Sequence, residues 1–219
     1  LAGRGEVRAV KNEHNVKTML KEAGILFAIT LLAGLVLGLI YELTKEPRRI
    51  QQEKAIQEAC MAAFPGQGEL AFEALEYTPG SELAAGLTEN NVEIGTVFKA
   101  SSQDGVFLGY VVESTSKKGY GGTIVLYVGV DVDGTVKGVS ILDISETPGL
   151  GMEAPNVLVP QFADRNVDQF VFTKTGATEG SNEVDAITSA TITTRAVVNA
   201  VNGGLSAARE LLEGGAVNE

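Results

Sequence analysis

The most extreme feature of the hydrophobic pattern is residues 23–41, AGILFAITLLAGLVLGLIY, which carry no charge over 19 positions. A helix rises about 1.5 Å per residue, so this run spans the roughly 30 Å hydrocarbon core of a bilayer and predicts one transmembrane helix. A cleaved signal peptide has a shorter apolar core, about 7 to 15 residues, followed by a small-residue cleavage site. Here the run is longer and YELTKEPRRI surrounds its exit, so a retained anchor is the better reading. Residues 1–22 form a polar amphipathic lead. Pro47 punctuates the exit of the span, and helical spacing resumes over 50–64 (Ile50, Lys54, Ile56, Ala59, Ala63) until Pro65 and Gly66. Residues 42–66 therefore read as a helical connector.

Residues 67–91 have weak periodicity and predict only short elements or loops. From Val92 the period becomes two. VEIGTVFKA, GVFLGYVVEST, GTIVLYVGVDVDG and TVKGVSILD are rich in β-branched and aromatic residues, and Asp133-Gly134 marks a hairpin between the last two. Four strands are expected, then a short helix around Asn156 to Arg165 and a final helix from about Thr193 to Leu212. On that last helix Val197, Val201, Leu205, Ala208 and Leu212 recur at steps of three and four, giving one apolar face. The expected class is α+β: one N-terminal membrane helix, then a domain over 67–219 with an antiparallel sheet flanked by helices.

Charge sharpens this division. Residues 1–49 carry 8 basic and 5 acidic side chains, the remainder 9 and 23. A domain with net charge −14 is unsuited to nucleic acid and is repelled by an anionic membrane surface. Five basic residues precede the span and four follow it, so the positive-inside rule does not decide orientation. Cys60 and His14 are the only residues of their types, which excludes an internal disulfide, a cysteine-held iron–sulfur cluster and a conventional zinc site. Cys60 is expected to pack on a helix, and His14 to sit in a solvated tail.

Three polar segments remain for chemistry. KKGYGGTI (117–124) and SETPGLGME (145–153) are glycine loops that let backbone approach a ligand closely. Either could equally be a plain turn. Neither has the spacing of a Walker A loop or a G-x-G-x-x-G fingerprint. The third is TSATITT (188–194), with five hydroxyls in seven positions just ahead of the apolar helix pattern. Thr193 or Thr194 could be a helix N-cap, with Thr188 and Ser189 satisfying nearby backbone. A phosphate resting on the helix N-terminus is the second reading, and Ser189 and Ala190 are small enough to admit it.

DAITSATIT resembles the flavinylation motif of the FMN-binding subunits of the Rnf and sodium-translocating NADH:quinone reductase complexes. GYGG, ETPGLG and the single N-terminal span resemble features found in the same order in that family. The resemblance covers nearly the whole chain. It implies FMN esterified through its phosphate to Thr191 by a separate flavin transferase, with Asp185, Thr188, Ser189 and Ala190 completing the motif. Tyr120, Gly121, Glu146, Thr147 and Leu150 are the implied neighbours of the flavin. Ser189 stands where the family usually has glycine, and Ile144 and Ser145 where relatives often carry more polar or basic residues.

The resemblance further implies a redox relay subunit, not a complete enzyme alone, within a membrane-bound Rnf-type ferredoxin:NAD+ oxidoreductase, anchored in the cell (inner) membrane with its domain on the extracytoplasmic face. The rival readings are the corresponding subunit of the quinone reductase and a non-redox anchored scaffold in which TSATITT is only a cap.

Overall fold

The computed structural model describes residues 3–66 and 68–215 and divides into two compact units, 1–53 and 54–219. The side chain of His14 lies outside the described residues. Helix α1, Gly3–Ala63, supplies the first unit and contributes its last turns to the second. Residues 23–41 are helical and exposed throughout, Phe27 at 65% and Leu37 at 67%. The helix is long and apolar enough to cross a membrane, fitting a single-pass anchor. The two threonine hydroxyls in and just after the apolar run bond back into the helix, as an apolar solvent requires: Thr30 donates to the Leu26 and Phe27 carbonyls, Thr44 to those of Ile40 and Tyr41. Pro47 does not punctuate the exit, because the helix runs straight through it. Proline removes only one backbone donor, and the turns on either side keep theirs.

The second unit is built on a five-stranded antiparallel meander in the order β1-β2-β3-β4-β5. The strands are β1 Leu70–Leu75, β2 Val92–Ser102, β3 Phe107–Ser116, β4 Ile124–Asp131 and β5 Val136–Ile144, with helix α2, Ser81–Asn90, between β1 and β2. The four strands expected from alternation are present; β1 is a fifth, drawn with α2 from the weakly periodic 67–91 stretch. The Asp133-Gly134 hairpin joins β4 to β5, its turn closed by the Gly134 amide donating to the Asp131 carbonyl and by the Asp131 carboxylate accepting the amides of Asp133 and Thr135.

Alternation assigns the two faces. Val97, Val112, Leu126 and Val128 point to one side and pack against α4, Thr191–Gly215, whose Val197, Val201 and Leu205 are fully buried. Each such burial contributes about 1.5–3 kcal/mol. Ala100, Val111 and Tyr127 point to the other side and meet Ala59, Cys60, Ala63 and Phe64 at the end of α1. Covered on both faces, the sheet is continuously buried along β4 from Leu126 to Val130.

The expected helix over Asn156–Arg165 is instead a single α turn, α3 (Ala154–Val157), flanked by 3-10 turns at Gly151–Glu153 and Val159–Gln161. Pro155 starts α3, but Pro160 cannot donate and disfavours helix at Val159, so the segment breaks there. A short parallel pair, β6 Val171–Thr173 and β7 Glu183–Asp185, was not visible as period-two pattern because each strand is only three residues long. The Arg165 guanidinium ties it in by donating to the carbonyls of Gln161, Ser181 and Glu183.

Cys60 packs on α1 at 1% exposure. Burial, helped by the nearby Glu113 charge, pushes its thiol from the usual 9.0 up to about 12. Between those values the unfolded chain loses this proton and the native one keeps it, so the thiol's contribution to stability is intact below pH 9.0 and is lost as pH rises toward about 12. Urea midpoints of the full chain in detergent should fall over that window and fall less in Cys60→Ala. Iodoacetamide should label Cys60 at neutral pH only after denaturation.

Candidate functional site

At the start of α4 the Thr194 amide is the first to reach back four residues, to the Ala190 carbonyl. The amides of residues 191–193 precede it and form the set of unpaired donors that a helix start presents. Thr193 and Thr194 are therefore not caps but lie inside the first turn. The buried Thr194 hydroxyl accepts the Ile187 amide at 3.1 Å and donates to the Ala190 carbonyl at 3.0 Å, locking the entry loop onto the helix. The buried Thr193 hydroxyl points across to another loop and donates to Glu146 Oε2 at 2.9 Å.

Glu146 joins three separated segments. Its other oxygen, Oε1, accepts the Gly121 amide at 3.1 Å, while its own amide faces the Met152 sulfur at 3.4 Å. Glu146 is 8% exposed. Glycines make this approach possible: a Cβ on Gly121 would sit 1.9 Å from the Ser145 carbonyl oxygen, and one on Gly151 would sit 2.6 Å from the Thr193 hydroxyl and 2.7 Å from Glu146 Cβ. The GYGG loop, the ETPGLG loop and the first turn of α4 are thus held together by one carboxylate.

Between them lies a half-open cavity of about 430 Å³, within the roughly 300–1,000 Å³ range of small-molecule sites. Of the residues singled out from sequence, Tyr120, Glu146, Thr147, Leu150, Ser189, Ala190 and Thr191 line it, joined by Gly151, Ile192 and Thr193. Gly121 borders it through its bond to Glu146. Asp185 and Thr188 are not in its lining. The Asp185 carboxylate instead accepts the Ala177 amide at 2.6 Å, and its backbone is bracketed by the Gln161 side chain, whose Oε1 accepts the Asp185 amide and whose Nε2 donates to its carbonyl. Thr188 is exposed in the loop. Gly151 could have been found as the second glycine of PGLG; Thr193 was hidden by its resemblance to a cap. Half-buried Thr191 therefore offers a hydroxyl at a cavity, with helix amides behind it and apolar walls in Leu150, Ala190 and Ile192. This donor set fits a phosphate ester carrying a flat aromatic group.

Ser189 has φ +63, the left-handed region that favours glycine. The place where the resemblance expects glycine is the place where the backbone asks for it.

Comparison with known proteins agrees with this geometry. Residues 119–206, which contain all three segments, match the FMN-binding domain family. Over 196 residues the chain is 30% identical to the G-type subunit of the Na(+)-translocating ferredoxin:NAD(+) oxidoreductase complex of Acetobacterium woodii, covering 85% of this chain and 89% of that protein. The chain belongs to the family of G-type subunits of ion-translocating oxidoreductase complexes. Another member, from Methanosarcina acetivorans, is also 30% identical, over 85% of this chain and 92% of its own. The fold is shared with the crystal structure of the C-type subunit of the Na(+)-translocating NADH-quinone reductase from Parabacteroides distasonis, at a TM-score of 0.55 and 22% identity, covering 77% of this chain and 96% of that one.

Substitutions at two positions probe the site. Glu146→Ala leaves the buried Thr193 hydroxyl without an acceptor and should cost about 1–3 kcal/mol in urea denaturation. Ser189→Gly relieves the left-handed strain and should raise stability by up to about 1 kcal/mol, whereas Ser189→Val should lower it.

Proposed function

We propose that this protein is the membrane-anchored electron-transfer subunit of an Rnf-type ion-translocating ferredoxin:NAD+ oxidoreductase and that it carries FMN on Thr191 through a phosphoester. The observation that supports it most directly is the Thr191 hydroxyl at the mouth of the cavity, on a helix start whose first amides are unpaired. A bound flavin supplies the redox chemistry, accepting and releasing electrons, so the chain itself needs no catalytic dyad.

Each residue has a role in that reading. Thr191 would hold the FMN phosphate through its hydroxyl oxygen, and the amides of residues 191–193 with the positive end of the α4 dipole would stabilise the phosphate charge. Ser189 and Ala190 keep side-chain bulk away from the ester. Tyr120, Leu150 and Ile192 contribute apolar surface to the ring system, with Gly121 and Thr147 on the loops beside it. Glu146 holds those loops against α4. Asp185 and Thr188 act at one remove by shaping the loop that enters the helix. A tethered cofactor is not lost from a half-open site when its charge changes on reduction.

No base for activating Thr191 is needed if a dedicated flavin transferase performs the esterification. The domain would then face the extracytoplasmic side, where by resemblance the transferase acts, with 1–22 cytoplasmic, 23–41 in the cell membrane and 42–66 as the connector. The other subunits of the complex are its partners, and its relative in Acetobacterium woodii favours the ferredoxin complex over the quinone reductase.

The full chain made with an active transferase should gain the mass of one FMN less water and fluoresce in a denaturing gel. Thr191→Ala should lose both signals. Fluorescence that persists in Thr191→Ala would remove the assignment, and wild-type protein that stays flavin-free would favour the scaffold reading.

A further inference from the structure

Beside the Thr191 cavity lies a second, of about 340 Å³, lined by Lys118, Gly119, Ile192, Arg195, Ala196 and Asn199. Ile192 belongs to both. Arg195 follows Thr191 by four residues and so shares its side of α4, while Lys118 stands directly before the GYGG loop.

The charge here runs against its surroundings, because residues 50–219 hold only 9 basic side chains among 23 acidic ones. Several of those cations are matched by a carboxylate: Lys54 by Glu58, Lys117 by Glu93, Lys137 by Asp164 and Arg209 by Asp168. Among the described residues neither Lys118 nor Arg195 has such a partner. Arg195 rests over the Phe172 ring at 5.8 Å, which orients the guanidinium without neutralising it. Glu146, the carboxylate of the neighbouring cavity, is buried with both oxygens engaged. The mouth itself exposes large apolar side chains, Tyr120 at 71%, Ile192 at 53% and Leu150 at 36%. An apolar patch bordered by unpaired charge is the anatomy of a protein docking surface.

We propose that this face, the cavity mouth where Tyr120, Leu150 and Ile192 frame the flavin, with Lys118 and Arg195 at the rim, docks an acidic surface on the subunit that exchanges electrons with the flavin. The inference rests on the flavin being carried at Thr191. Charge complementarity selects the occupant. An acidic partner is repelled by the net negative charge of the domain and drawn to this pair of unpaired cations beside the cavity, so it arrives with its redox centre toward the flavin.

The test uses the flavinylated full chain in detergent, its flavin reduced by dithionite, against Lys118→Glu, Arg195→Glu and the double variant. Stopped-flow mixing with ferricyanide, a trianion, or hexaammineruthenium(III), a trication, reads the local potential. The reduced flavin gives one electron to each of two metal ions and its protons to the buffer. The double variant should slow ferricyanide about tenfold at low ionic strength and speed the ruthenium complex, with both differences vanishing in high salt. No change, or the same change for both probes, overturns the proposal.

In the purified complex, zero-length carbodiimide coupling should join Lys118 to an Asp or Glu of another subunit. Coupling only within this chain also overturns it. Intact mass should show the FMN adduct unchanged in the variants. Its loss there would assign the face to the transferase, and variant-sensitive sedimentation with phosphatidylglycerol vesicles would assign it to lipid; either result replaces the proposal. An adduct absent from the wild type instead removes the flavin reading, while the coupling result can still be read on its own.

Discussion

One buried carboxylate organises this domain. Glu146 accepts the Gly121 amide with one oxygen and the Thr193 hydroxyl with the other, so three segments that are far apart in sequence meet around a single anion. A buried charge is tolerated only where donors surround it. That requirement accounts for the neighbours: glycines at 121 and 151 that let backbone come close, and a threonine at 193 whose hydroxyl faces inward. The cavity is the space left over when those demands are met.

The rest of the domain supplies a rigid seat for that arrangement. Helix α4 lies across one face of the sheet through Val197, Val201 and Leu205, and the end of α1 covers the other. The first turn of α4 is therefore the exposed tip of an element whose body is fixed by the main core. A site on such an element holds its geometry better than one on a free loop. The loops opposite are attached to it by the Glu146 bonds, and the Asp185 and Gln161 bonds steady the approach to it from the other direction.

Much of this was legible in sequence, and the boundary follows physical range. The charge-free run, the period-two strands, the Asp133-Gly134 turn and the apolar stripe of α4 are signals carried within a few residues, and each appeared where expected. The cavity residues near Thr191 were reachable because they cluster in one short motif. What escaped was non-local or short. The 47-residue separation of Glu146 from Thr193 has no periodic signature, so Thr193 looked like a cap. Strands β6 and β7 are too short to alternate, and the helix expected from Asn156 failed because the backbone limits of Pro160 outweighed its apolar spacing.

Ser189 and the Thr194 hydroxyl together have a consequence for the protein's life history. The entry turn and the helix tip are already set by contacts within the chain: the left-handed Ser189, the Ile187 amide on Thr194, and the Thr193 bond to Glu146. Thr191 is thus presented by a finished surface and not by a slack tail. On the proposed attachment at Thr191, maturation is ordered in time, folding first and cofactor second, and a transferase that loads this chain must recognise a native shape. Misfolded copies would remain colourless, so loading itself becomes a check on folding before the subunit enters a larger assembly.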